Sequence, residues 1–169
     1  MKFSHVSEDP TITQFDPRPS QFTENPVVWA VDEWHLHNYL LPRDCPRVTY
    51  YALPSSKPED VAKYLGSSRD VIAVEGKWLP RIQACHLTVY HFAPTGFSIQ
   101  DEGAGYWVCD NSVIPQATSS IDDCLAELVS RQIEIRILPE LWALRDEILD
   151  STLQFSFIRM ANAKPRGAV

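Results

Sequence analysis

Basic charge is in the minority here: 15 Lys and Arg stand against 22 Asp and Glu, for a net charge of −7 and a pI of about 5.1. A surface of that sign repels phosphate backbones and anionic lipid, so no nucleic-acid partner is expected. Long apolar runs are missing too. No stretch approaches the roughly 18 consecutive apolar residues of a membrane helix, and the opening Met1-Lys2-Phe3-Ser4-His5 is polar where a secretory leader needs an apolar segment. The expectation is a soluble, cytoplasmic chain with no membrane association. The four cysteines, Cys45, Cys85, Cys109 and Cys124, form no C-x-x-C pair. That speaks against a zinc knuckle or a thioredoxin-like centre and for reduced thiols. Neither G-x-G-x-x-G nor G-x-x-x-x-G-K-[ST] occurs, so both standard nucleotide-phosphate loops are absent. Internal repeats and low-complexity segments are absent as well.

What is present fits a globular chain of ordinary composition: 169 residues, 44% hydrophobic and 22% charged. Residues 1–160 read as a single globular domain and 161–169 as a frayed tail. Short β-branched and aromatic runs bounded by turn residues predict strands at 2–7, 27–31, 47–53, 71–74, 87–92, 97–100, 106–109, 113–114, 133–137 and 155–158. Asp32 is a plausible N-cap for a helix over 33–41 that Pro42 stops. Pro58 starts a second helix that Gly66 closes. Ser119 and Ser120 before Asp122 and Asp123 resemble a capping box, leading into apolar positions 121, 124, 125, 128 and 129 at helical spacing. A last helix follows Pro139. Irregular interspersion of strands and helices predicts an α+β fold: a mixed or antiparallel sheet of short strands with three to four helices.

Chemistry-bearing residues concentrate near predicted strand ends, where loops on a rigid sheet build sites. His5 titrates near neutral pH and suits an acid, a base or a hydrogen-bond anchor. Pro42-Arg43-Asp44-Cys45-Pro46-Arg47 sets two guanidiniums around a thiol and a carboxylate. Arg43 and Arg47 suit bidentate capture of an anion, or tie the loop to Asp44. Cys45 packs as a small hydrophobe or, with a lowered pKa, becomes a nucleophile. His35-x-His37 puts two imidazoles about 200° apart on a helix, so no metal site is expected. Trp29 and Trp34 bracket the Asp32 segment and suit a pocket wall for a planar ligand, as do Tyr106 and Trp107 after the glycine-containing turn at 101–105. Ser20 and Ser119 lack the G-x-S-x-G context of a hydrolase elbow.

Four blocks, His5-Val6-Ser7-Glu8, Val28-Trp29-Ala30-Val31-Asp32-Glu33, Leu41-Pro42-Arg43-Asp44-Cys45-Pro46-Arg47-Val48 and Phe155-Ser156-Phe157-Ile158-Arg159, together resemble a small, mostly bacterial family known only as a domain of unknown function. The resemblance covers nearly the whole chain and brings no activity with it. A weaker likeness is to ADP-ribosyltransferase-like folds, which open on a strand bearing a histidine, as His5 does, and continue with a strand and helix ending in a tyrosine, the place Tyr39 takes in 27–39. That likeness implies NAD or ADP-ribose binding with roles for His5 and Tyr39. The family's late-strand acidic residue has only Glu102 as a neighbour of Gly105-Tyr106-Trp107-Val108.

The clustering of His5, Arg18, Asp32, Arg43 and Arg47 beside tryptophans leads to one expectation above the others. It is an enzyme converting a small molecule without metal or redox cofactor, of hydrolase, isomerase or cyclase type. His5, Asp32 and Arg43 would be its catalytic groups, and Arg18, Trp29, Trp34, Tyr39, Arg47, Tyr106 and Trp107 its substrate contacts. An NAD-binding transferase-like domain and a non-catalytic binding module are the alternatives.

Overall fold

The computed structural model describes residues 2–167. In chain order the elements are β1 (Phe3–Ser7), β2 (Val28–Asp32), a 3-10 turn (Leu36–Tyr39), β3 (Arg47–Tyr51), α1 (Pro58–Asp60) running into a π turn (Val61–Leu65), β4 (Asp70–Glu75) and a 3-10 turn (Gly76–Trp78). There follow α2 (Leu79–Gln83), β5 (Leu87–Phe92), β6 (Ser98–Asp101), β7 (Tyr106–Cys109), β8 (Ala117–Ile121), α3 (Cys124–Ser130), β9 (Glu134–Leu138), α4 (Trp142–Leu149), β10 (Gln154–Ile158) and a 3-10 turn (Met160–Asn162). The fold is α+β, with short strands in one antiparallel and one mixed sheet, and four α-helices among the described residues.

The chain divides into two compact units. One takes the chain up to Leu40 together with His86–Asp122, the other Leu41–Cys85 together with the chain from Asp123 on. The first is built on a six-stranded sheet in the order β6-β7-β2-β1-β5-β8, every neighbouring pair antiparallel. Phe3, Ala30, Tyr90 and Phe92 form its buried cluster, and Ile12, Phe15, Phe97, Trp107 and Val113 pack against them. Alternation places Phe3 and Ala30 on one face of the pleat, and the segment before β2 lies over it. The Tyr90 hydroxyl ties that segment down, donating to the Asp9 carbonyl at 2.6 Å and accepting the Ile12 N–H at 3.1 Å.

The second unit is built on the sheet β10-β3-β4-β9, with β4 and β9 parallel and the other pairs antiparallel. All six residues of β4 are buried, as expected of a central strand covered on both faces. Val48, Tyr50, Val71 and Ala73 meet Leu141 and Ile148 of the α4 region, Leu153, and Tyr64 and Leu65 of the π turn. Each fully buried aliphatic side chain here contributes about 1.5–3 kcal/mol. Gly66 closes the π turn at φ +58°, its N–H reaching the Val61 carbonyl five residues back at 2.9 Å.

Several local expectations are corrected. The helix placed over 33–41 is only a single 3-10 turn, Leu36–Tyr39. Asp32 itself ends β2, and its carboxylate caps the turn at His35 rather than a full helix. Ser119 and Ser120 are not a cap; they lie in β8, paired with Val89 and Thr88. Helix α3 begins later, at Cys124, with Asp123 accepting the Ala126 N–H at 2.9 Å. The strand expected at 113–114 is one bridge, Phe15 to Val113. Helix α2 had no counterpart in the sequence reading. Near the C-terminus the Lys164 N–H donates to the Glu75 carboxylate at 2.8 and 3.1 Å, and the Trp142 indole N–H donates to the Lys164 carbonyl at 2.6 Å. Arg166 makes two 2.8 Å bonds to Asp146 and stacks 4.5 Å above Trp142. Residues 168 and 169, the end of the tail expected to fray, lie outside the described residues.

Candidate functional site

The end of β2 gathers the densest polar group of the first unit. The Asp32 backbone N–H donates to the Gly105 carbonyl at 3.0 Å, which fixes the strand end against the turn before β7. One Asp32 carboxylate oxygen accepts both the His35 backbone N–H at 2.9 Å and the His35 Nδ1–H at 2.8 Å. Burial pushes the Asp32 carboxyl up. The bonds from His35, helped by the Trp107 indole, outweigh that and hold it below the usual carboxylate range. Asp32 is therefore ionised at neutral pH. Its acceptance of Nδ1–H fixes the orientation of the imidazole. Gly105 adopts φ +68°, and a Cβ there would collide with the His35 ring. Only glycine admits both that backbone and that neighbour.

One residue along, Tyr106 continues the site. Its hydroxyl accepts a hydrogen bond from the Tyr39 hydroxyl, with the two rings 5.9 Å apart. Trp29 meets the Tyr106 ring edge-on at 5.4 Å. Trp29, Tyr39 and Tyr106 are all half-buried, so each presents a polar or flat edge outward. Trp107 lies on the opposite face of the sheet from Trp29 and Tyr106, the face Asp32 shares, and packs 4.5 Å from Phe3 in the core. Trp34 sits at the surface, 51% exposed.

His5 is half-buried on β1; its Nδ1–H donates to the Trp29 carbonyl at 3.0 Å and its ring lies 4.8 Å from Phe15. It therefore anchors the backbone that carries Trp29. Arg18 is exposed, its backbone bridged to Val27. Arg43 and Arg47 belong to the second unit. Arg43 is exposed. Arg47 is 2% exposed, and its Nη1 donates to the Pro42 carbonyl at 3.1 Å and the Cys45 carbonyl at 2.9 Å. It ties the proline-flanked loop from inside. Burial pushes the Cys45 thiol up to about 11, more than Arg47 lowers it. It is thus a packed thiol at neutral pH, not a thiolate.

The structure thus groups Trp29, Tyr39 and Tyr106 and, separately, pairs Asp32 with His35, which sequence reasoning weighed only as a metal ligand. The available signal was an aspartate at a strand end three residues before a histidine. No group of three or more His, Cys, Asp or Glu side chains is arranged to hold a metal among the described residues. A shallow, open depression of about 340 Å³ lies elsewhere on the unit, lined by Phe22, Thr23, Glu24, Gln100 and Asp110 among others, and holds none of the expected site residues.

Fold and site define a two-sheet α+β protein with an acid–imidazole pair and a tyrosine pair at the end of one strand. A family model matches residues 4–163, nearly the whole chain, and the protein belongs to that family, DUF6886, a family of unknown function. The four-block resemblance pointed to a family of this kind. No curated protein and no solved structure shows significant similarity to the chain.

Proposed function

We propose that the protein converts a small, carbonyl-bearing organic molecule by proton transfer, as an isomerase, cyclase or hydrolase whose acids and bases are its own side chains. The observation that carries this reading is the Asp32–His35 pair, whose imidazole packs against Gly105, the residue before Tyr106 in the chain. Asp32 orients the imidazole and stabilises the imidazolium that forms when Nε2 takes a proton. The Tyr106 hydroxyl, which accepts from Tyr39, donates its own proton to the oxygen on which negative charge develops. Trp29 offers a flat wall to a planar substrate, and His5 holds that wall through its carbonyl bond.

The test is deuterium exchange. The purified chain is incubated in D2O with small ketones, aldehydes and keto acids, and exchange at the α-carbon is followed by NMR. The expected outcome is catalysed exchange with at least one of them, reduced about 10²-fold or more in His35→Ala and in Tyr106→Phe variants that melt as folded proteins. Exchange that persists in both variants removes the assignment. A melting-temperature rise with NAD, together with nicotinamide release, would replace it with the transferase-like reading. Tight binding of a small molecule without turnover would replace it with a binding module.

A further inference from the structure

On the six-stranded sheet, three side chains from three strands form a chain of hydrogen bonds. Ser4 of β1 lies directly opposite His91 of β5, and the Ser4 Oγ is 3.2 Å from the His91 Nδ1. Ser119 of β8 is paired with Val89, two residues before His91. It is therefore a diagonal neighbour of His91 on the same face of the pleat. The Ser119 Oγ lies 3.0 Å from the His91 Nε2. Exposure rises along the chain of bonds: Ser4 is buried, His91 half-buried and Ser119 exposed.

We propose that Ser119 is an acyl-accepting nucleophile, with His91 as its general base and Ser4 as the positioning residue, acting on small activated carboxylic esters. This inference is independent of the Asp32–His35 site. With Nδ1–H donated to the Ser4 oxygen, Nε2 accepts the Ser119 hydroxyl proton, the relation a serine nucleophile requires of its base. The Ser119 Oγ adds to the ester carbonyl carbon while its proton passes to Nε2. The carbon–oxygen bond to the leaving alcohol then breaks, and that oxygen takes the proton back from Nε2. Water adds by the same route, releasing the carboxylic acid and restoring Ser119. β8 is the last strand of its sheet, so backbone N–H groups on its outer side are available to a developing oxyanion. An open strand edge, rather than a deep cleft, suits a small ester with a good leaving group.

The experiment uses p-nitrophenyl acetate as the probe. The expected result is a burst of p-nitrophenol with one acetyl group mapped by mass spectrometry to Ser119. Ser119→Ala, an exposed position, abolishes both. His91→Gln, checked for folding by its melting curve, slows acylation about 10²-fold or more. Ser4→Ala shifts the pH dependence of acylation, because Nδ1 loses its partner. Long-range proton–nitrogen NMR of His91 supplies a readout free of kinetics and shows the hydrogen on Nδ1. No adduct, an adduct at another residue, a His91→Gln variant reacting at the parent rate, or a hydrogen resident on Nε2 would each overturn the proposal.

Discussion

In the unit built on β3 and β4, Arg47, Glu75 and Arg136 each hold a backbone group of the same unit. Arg47 holds the Pro42 and Cys45 carbonyls, and Glu75, 0% exposed, holds the Lys164 N–H with both oxygens and the Lys77 ammonium at 3.1 Å. Arg136 reaches the Tyr50 hydroxyl and the Tyr64 carbonyl, each at 2.7 Å. In the unit built on β1 and β2 several polar side chains bond one another: Asp32 to His35, Tyr39 to Tyr106, Ser4 to His91 to Ser119. A side chain tied to backbone from inside keeps the fold; a side chain tied to another at a solvent boundary still has a proton to exchange. Arginine and glutamate thus hold backbone groups in one unit, while in the other histidine, tyrosine and serine side chains hold one another.

That contrast is sharpest at Glu75. Glu75→Ala strips a buried carboxylate from the Lys77 ammonium and the Lys164 N–H, and should cost about 3–5 kcal/mol in urea unfolding while freeing the chain around Lys164 to proteolysis. A loss below about 1 kcal/mol would put Glu75 with ordinary surface charges and break the comparison. Gly105→Ala should cost less, about 2–3 kcal/mol, from a strained left-handed backbone and a Cβ driven into the His35 ring. Unlike the Glu75 variant, it should also abolish any activity that depends on His35. The smallest effect concerns pH. The folded Asp32 carboxyl is held below its ordinary value. Its contribution is fully present above about pH 3.9, the unfolded value, and is lost as pH falls through the lower folded one. In Asp32→Asn the decline of stability in that acid window should be shallower, as read from urea midpoints at successive pH values; an unchanged slope would mean that the His35 bonds do not stabilise the ionised form.

Much of the scaffold was legible locally. Leu87–Phe92 and Tyr106–Cys109 are strands with the bounds their β-branched and aromatic runs announce between turn residues. β8 was not legible, because Ala117-Thr118-Ser119-Ser120 has no apolar alternation and serines favour caps. Pairing with β5 makes it a strand. The helix over 33–41 was overdrawn since cap and stop were visible, whereas the bond from Asp32 to Gly105 lies 73 residues away in sequence. The Trp29, Tyr39 and Tyr106 ring contacts join residues from β2, the 3-10 turn and β7, and sequence position alone does not show them. The Arg47 partners are backbone carbonyls, which no residue letter shows. The Ser4–His91 pair depends on register between strands 87 residues apart.

The division of the chain has a consequence for synthesis. The polypeptide passes from one unit to the other after Leu40, after Cys85 and after Asp122. A ribosome therefore delivers β1 and β2 long before β5 arrives to pair with β1, and β3 longer still before β10 arrives to flank it. The first unit has all its strands once Ile121 has emerged; the second must wait for Ile158. β3 and β4 carry buried-type apolar faces without β9 until Leu138 has emerged and without β10 until Ile158 has, and a nascent chain in that condition is where chaperone capture and edge-to-edge aggregation would concentrate.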